Sequence, residues 1–263
     1  MGQKLLQNCL KPPNPVPWPL IMRRFYAQPH QFHDDLVILD PEETYHLARV
    51  LRLAVGTRVE VTDGQGGNFA AQVAALAPRG ATLRLLEKLA PWGESPLVLS
   101  LGIGLAKGEA LDEVIRQATE MGVSRIFPFI SERSERPVPE RVERRRQRWQ
   151  RLARESLKSC QRARLPEIAP PCDFVGALEG TEEIKLLFWE EARGGGLNAV
   201  LQRPRPREVR MLIGPEGGFS APEAAQAREA GFLVASLGPR RLKVATAALA
   251  AVTLLQCAWG DLA

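Results

Sequence analysis

The sequence predicts an α/β protein of two parts: a small β-rich module, then a larger domain with a mostly parallel sheet. Three observations predict it. Short apolar runs separated by turn signals fill residues 23–89, strand-like and helix-like segments alternate from Leu97 onward, and two Gly-Pro loops each follow an apolar strand. A length of 263 residues is comfortable for two domains. A hydrophobic share of 45% and a charged share of 25% are ordinary globular values and exclude wholesale disorder.

In the first part, Leu36-Val37-Ile38-Leu39 reads as a strand. Pro41-Glu42-Glu43 opens a helix through Leu51, with Asp40 as its N-cap. Thr57 to Thr62, Phe69 to Leu76 and Ala81 to Leu86 read as three strands, the first two joined as a hairpin through Asp63-Gly64-Gln65-Gly66-Gly67. Residues 91–96, Pro91-Trp92-Gly93-Glu94-Ser95-Pro96, read as a linker between a domain over 22–90 and one over 97–263. The Pro-rich residues 1–21 are expected to be a disordered extension.

In the second part, Leu97 to Gly102 is an apolar strand. Leu111, Val114, Ile115, Ala118 and Met121 fall on one helical face. Arg125 to Ile130 is the next strand, and a long charged helix runs from about Pro139 to Arg162. Ile184 to Trp189, Val209 to Ile213 and Leu233 to Leu237 are further strands. The helix from Val244 to Cys257 is apolar nearly all round, which predicts burial.

Several function classes lack support. Cys9, Cys160, Cys172 and Cys257 show no C-x-x-C spacing, and none of the three histidines lies near a cysteine, so no metal site is readable. Such cysteines fit a reducing cytoplasm. No stretch reaches the roughly 18 apolar residues of a membrane span. No Ser-His-Asp, Cys-His or paired-carboxylate arrangement stands out; Glu120 with Glu132, and Glu190 with Glu191, read as surface charge.

Four stretches could carry chemistry. Gly102-Ile103-Gly104-Leu105-Ala106-Lys107-Gly108 resembles a nucleotide-binding turn, but its third glycine comes one residue late and no Lys-Ser or Lys-Thr follows. A tight strand-to-helix turn is therefore the better reading, and a nucleotide-dependent oxidoreductase the weaker one. Ile213-Gly214-Pro215-Glu216-Gly217-Gly218-Phe219-Ser220 follows an apolar strand and precedes a helix whose capping box is Ser220 with Glu223. With the helix start so fixed, the glycines serve close approach of backbone to a ligand at a strand's carboxyl end. Leu237-Gly238-Pro239-Arg240-Arg241-Leu242-Lys243-Val244 is a second such loop, and the two are expected to wall one pocket. Finally, Arg133, Arg136, Arg141, Arg144 to Arg146, Arg148, Arg151, Arg154, Lys158, Arg162 and Arg164 concentrate positive charge, in a chain of net charge +5, where nucleic-acid phosphates could be held. Trp149 and Leu152 are expected to anchor that helix to the core.

Taken in order, Arg24-Phe25-Tyr26, His46-Leu47-Ala48-Arg49-Val50-Leu51-Arg52, Lys107-Gly108, Ala118-Thr119-Glu120-Met121-Gly122-Val123, Ser131-Glu132-Arg133-Ser134, Leu165-Pro166-Glu167-Ile168, Ile213 to Ser220, and Leu237-Gly238-Pro239 through Leu255-Gln256 resemble the RsmE family. These are small-subunit (16S) ribosomal RNA uridine N3-methyltransferases of the SPOUT (trefoil-knot) superfamily. The resemblance implies a PUA-like β-barrel for RNA and a knotted α/β domain that binds S-adenosylmethionine and dimerises. It implies methylation of uridine 1498 as a step in maturation of the small ribosomal subunit. It places the methyl donor against Phe188, Gly214, Glu216, Gly217, Gly218, Leu237, Gly238, Pro239 and Leu242. Arg24, Arg49, Arg52 and Arg133 are implied to bind RNA. Arg162 is expected to stabilise the uracil oxygens as the imide nitrogen loses its proton. Two stretches depart from the family pattern: Lys243 replaces an Arg and Ala245 a Glu after the last Gly-Pro loop, and Lys158-Ser159 stand before Arg162 where the family carries Glu-Gln or a lone Gln. They raise the alternative of an RNA-binding homologue with impaired catalysis.

Overall fold

The computed structural model describes residues 22–77, 80–90, 92–106, 109–134, 139–192 and 196–262; the expected extension over 1–21 lies outside them. The chain divides into two compact units. One contains residues 22–94 and takes back Leu157–Leu165; the other contains Ser95–Ser156 and the chain from Pro166.

The first unit holds β1 (Arg24–Tyr26), a 3-10 turn, β2 (Phe32–His33), β3 (Leu36–Ile38), α1 (Pro41–Tyr45), β4 (Arg58–Thr62), β5 (Asn68–Ala77) and β6 (Gly80–Lys88). They form one six-stranded sheet in the order β1-β4-β5-β6-β3-β2, antiparallel except where β1 runs parallel to β4. Alternation along β4 to β6 turns Val59, Val61, Ala71, Val73, Ala81 and Leu83 into one core with Phe25, Val37 and Leu47. Asp40 caps α1 as expected, its carboxylate accepting the Glu43 N–H at 2.8 Å. The predicted single helix over 41–51 does not continue as such. After Tyr45 it widens into a π-helical turn over His46–Val50, closed by the Leu51 N–H on the His46 carbonyl, and Arg52 then takes a left-handed φ of 53°. The extra residue in that turn leaves Leu47 fully buried while Arg49, Val50 and Arg52 face solvent.

The second unit holds β7 (Val98–Gly104), α2 (Ala110–Glu120), β8 (Arg125–Ile130), α3 (Pro139–Cys160), β9 (Glu167–Ile168), β10 (Cys172–Asp173), α4 (Phe174–Leu178), β11 (Ile184–Phe188), α5 (Gly196–Leu201), β12 (Glu208–Ile213), α6 (Ala221–Glu229), β13 (Leu233–Ala235) and α7 (Val244–Trp259). Its sheet is parallel throughout, in the order β10-β8-β7-β12-β11-β13, with β9 also on β8. β12 lies between β7 and β11, so Val209 to Ile213 are buried without alternation, as both faces of a parallel sheet are covered. On one face Phe129, Phe174 and Phe219 pack ring to ring with Leu187, Trp189 and Leu212. α7 leans on α2, and its buried Gln256 takes the Ser95 hydroxyl and donates to the Met121 carbonyl at 2.7 Å each. The burial expected of α7 from its composition holds for one side only: Leu254 is 40% exposed and Cys257 is exposed.

The expected boundary, with 91–96 as a simple linker, needs correction. Glu94 is a fastening point of the first unit, and the segment after α3 belongs there too. Glu94 Oε1 accepts the N–H groups of Ala163 and Arg164 at 2.7 Å each, and Oε2 takes the Arg162 guanidinium at 3.1 Å. The Ala163 carbonyl accepts the Gly66 N–H, and the Leu165 N–H bonds the Gly64 carbonyl. Lys158 pairs with the buried Glu43. The hairpin over residues 63–67 thus uses its backbone groups on a strap that the sequence places far away.

Candidate functional site

The two glycine-containing loops meet in the second unit, as expected, and form the walls of an open pocket with about 480 Å³ of space. The first loop leaves β12 and contributes Ile213, Gly214, Pro215, Gly218 and Phe219. The second leaves β13 and contributes Ser236, Leu237, Gly238, Arg240 and Leu242. Phe188, Trp189 and Glu190 close the side at the end of β11, and Val244 and Ala247 of α7 form the floor. Apart from the α7 residues, all of these lie at or follow the carboxyl ends of parallel strands, where α/β sheets bind ligands.

Local sequence explains why the walls hold. Ser220 starts α6: its Oγ accepts the Glu223 N–H, and Glu223 Oε2 accepts the Ser220 N–H at 2.9 Å. The second oxygen of Glu223 accepts the Glu132 N–H at 2.9 Å, tying the loop after β8 to the glycine loop. Arg133 adds a bond from its guanidinium to the Gly217 carbonyl at 2.9 Å. Gly218 has φ +68°, and a Cβ there would lie 2.5 Å from a Glu190 carboxylate oxygen, so only glycine serves. In the second loop Gly238 has φ +120°, and the Ser236 hydroxyl bonds both its N–H and its carbonyl.

Of the nine residues the resemblance placed against a donor, Phe188, Gly214, Gly218, Leu237, Gly238 and Leu242 line the pocket. Glu216, Gly217 and Pro239 are exposed and do not line it; they shape the loops from outside. The resemblance also implies a contribution from the loop after Phe188, and Trp189 and Glu190, which the sequence did not single out as donor contacts, line the pocket there. Trp189 also has a buried indole N–H with no acceptor among the described residues. The replacements Lys243 and Ala245 do not line the pocket; Lys243 is exposed at the start of α7.

The arginines divide differently from expectation. Arg162 is 3% exposed, belongs to the first unit and forks onto Glu94, while its carbonyl accepts from Arg24 at 3.0 Å. Its Nε and one terminal nitrogen donate to Glu94, so it helps to hold the strap, and it is not among the residues that line the pocket. Arg24 is also a structural cation, buried in an ion pair with Glu60 at 2.8 Å, and is not available to RNA. Arg49, Arg52 and Arg133 are exposed, and Tyr45, one turn before Arg49, is 64% exposed. Along α3, Arg146 pairs with Glu143 and Arg148 with Glu109 and Asp112, so that helix presents less unpaired charge than its composition suggests. The hydrogen bond from Arg146 holds the Glu143 carboxyl below the usual range, and Glu109 and Asp112 raise Arg148. Arg144 and Arg151 remain exposed. Trp149 anchors the helix as expected, 2% exposed with its indole N–H on Asp112. The side chains of Arg136 and Arg141 lie outside what is described.

The glycine stretch from Gly102 is a packing feature. A Cβ on Gly102 would collide with Leu212 and Phe127, and one on Gly104 with Pro215, so both make room for the neighbouring strand and the pocket loop. Lys107 and Gly108 lie outside the described residues.

A model of the RNA methyltransferase domain matches residues 93–256, and one of the RNA methyltransferase PUA domain matches residues 39–86. A ribosomal RNA small subunit methyltransferase E of Synechocystis is 35% identical over 85% of this chain and 74% of its own length. The chain belongs to the ribosomal RNA small subunit methyltransferase E family. Another member, from Buchnera aphidicola, is 29% identical over 93% of this chain and 98% of its own. The crystal structure of the Neisseria gonorrhoeae member, bound to S-adenosyl methionine, is 30% identical. It superposes with a TM-score of 0.82 over 92% of this chain and 100% of that one. The fold expected of the family, a SPOUT-type parallel α/β unit preceded by a PUA unit, is the fold observed.

Proposed function

We propose that this protein methylates small-subunit ribosomal RNA with S-adenosylmethionine as donor, at N3 of a uridine corresponding to position 1498. The observation that carries the reading is the two-loop pocket at the carboxyl edge of the parallel sheet, with a glycine at the place where any side chain would intrude. The lining fits the donor: Ile213, Leu237 and Leu242 offer apolar surface for a purine, and the Gly214 and Gly238 regions offer backbone groups at close range. The bound donor supplies a methyl group on a cationic sulfur.

The remaining work falls to the chain's own residues. The acceptor nitrogen carries a proton that must leave as its bond to carbon forms, and negative charge then spreads onto the uracil oxygens. Arg240, exposed yet lining the pocket, takes the stabilising role in this reading. Arg133, Arg241 and Lys243 are exposed on the loops that build the pocket and suit RNA phosphates. In the first unit Arg49, Arg52 and Tyr45 offer cations beside an aromatic on which an unpaired base can stack. The uncovered apolar side of α7, with Leu254 and Cys257, suits a second copy of the chain.

The test is incubation of the purified protein with S-adenosylmethionine and unmodified small subunits, followed by nucleoside mass spectrometry. One 3-methyluridine per subunit is expected. A methyl on any other atom or base would overturn the N3 assignment, and no transferred methyl would leave the impaired-homologue reading in its place.

A further inference from the structure

We propose that Glu190 reads the sugar of the donor, its carboxylate accepting hydrogen bonds from the ribose 2′- and 3′-hydroxyls. This rests on the donor reading above and adds to it a residue that recognises one part of the ligand. Among the described residues that line the pocket, Glu190 is the only carboxylate. It stands two residues beyond β11, at the carboxyl end of the parallel sheet, where an acidic side chain can meet a ribose hydroxyl in nucleotide-binding α/β folds. Its place is built by the opposite wall. The carboxylate lies against Gly218, at the spot a Cβ would occupy, so the glycine keeps room for it. The side chain is 27% exposed, and its ion-pair partner Arg241 is 80% exposed with its nitrogen 3.7 Å away, beyond hydrogen-bond range. Oxygen lone pairs therefore remain for a ligand.

The local charge selects which part of the donor is met. Arg240 lines the same rim and Arg241 faces the carboxylate, so a ligand ammonium brought there would meet two guanidiniums. A neutral diol meets no such repulsion and gains charge-assisted acceptance.

The experiment is calorimetric titration of the full chain with two ligands, S-adenosylmethionine and 5′-methylthioadenosine. The second keeps the ribose diol but lacks the amino-acid end. Glu190→Ala is expected to weaken both by about ten- to a hundredfold, the size of a hydrogen bond to a charged group. Glu190→Gln, which keeps the shape, is expected to weaken both by about fivefold or more and carries the test should the Ala variant fail to fold. Unchanged affinities in the variants would overturn the assignment. So would a loss confined to S-adenosylmethionine, which would move Glu190 to the amino-acid end. A wild-type chain that binds neither ligand would overturn the donor reading itself.

Discussion

Glu223 shows how much one buried carboxylate can organise. It completes the helix cap at Ser220 and also takes the Glu132 N–H, fixing two loops at once. Glu223→Ala leaves both N–H groups without their acceptor, and a cost of about 2–3 kcal/mol is expected in denaturant unfolding. The donor affinity should fall as well, since the glycine loop loses its anchor. Gly218→Ala is a sharper probe: the left-handed backbone costs about 1–2 kcal/mol and the methyl displaces Glu190. Donor binding should then drop by more than stability does, which calorimetry beside thermal melting would show. Half of this was legible. Ser220 and Glu223 are three residues apart, so their bond is local and the spacing reveals it. The Glu132 bond spans most of the domain, and nothing in either sequence neighbourhood announces it. Glu190 escaped for a related reason: its meaning comes from Gly218 on another loop.

Strands and helices were read well where a period of two or 3.6 was long enough to count. β12 stood out because burial on both sides makes it continuously apolar, and α7 stood out as apolar along its length although one side of it is uncovered. The π-helical turn over His46–Val50 did not, because one added residue leaves the apolar pattern of a helix nearly intact. Nor did the strap, since Arg162 reads as the end of a charged helix and Glu94 as part of a linker, when they are in fact each other's partners. Removing one member of so buried a pair, in Arg162→Ala or Glu94→Ala, should cost about 3 kcal/mol and lower the melting temperature of the first unit. A variant with wild-type stability would return Arg162 to the candidates for catalysis. In the second unit, Glu182 ahead of β11 pairs with Arg210 of β12 at 3.0 Å. Burial pushes the Glu182 carboxyl up, but the bond from Arg210, a backbone bond and the Ser100 hydroxyl outweigh it and leave it below its usual value. A carboxyl lowered in the folded state stabilises at pH above its unfolded value, and that contribution is lost as pH falls through the folded value. Glu182→Gln should therefore cost stability at neutral pH, with the deficit shrinking toward acid in paired melts; a deficit independent of pH would contradict the pairing.

At the scale of the whole molecule, no helix among the described residues is long and apolar enough to cross a membrane, and α7 leaves Leu254 and Cys257 exposed. The second copy proposed above for this side of α7 predicts that Leu254→Glu halves the sedimenting mass while changing chain stability by no more than about 0.5 kcal/mol. It also predicts that Cys257 reacts with iodoacetamide faster in that variant than in the wild type, whereas Cys172, whose thiol burial pushes up, stays slow in both. A wild type that sediments as one chain at micromolar concentration would remove the dimer. The bipartite first unit has a consequence for how the protein comes into being. Its sheet is fully translated by Lys88, yet the piece that seals it, Leu157–Leu165, emerges only with the last turn of α3 and the residues after it. Order of manufacture therefore runs against order of assembly: the earliest domain leaves the ribosome unfinished, its Glu43 and Glu94 waiting on cations not yet synthesised.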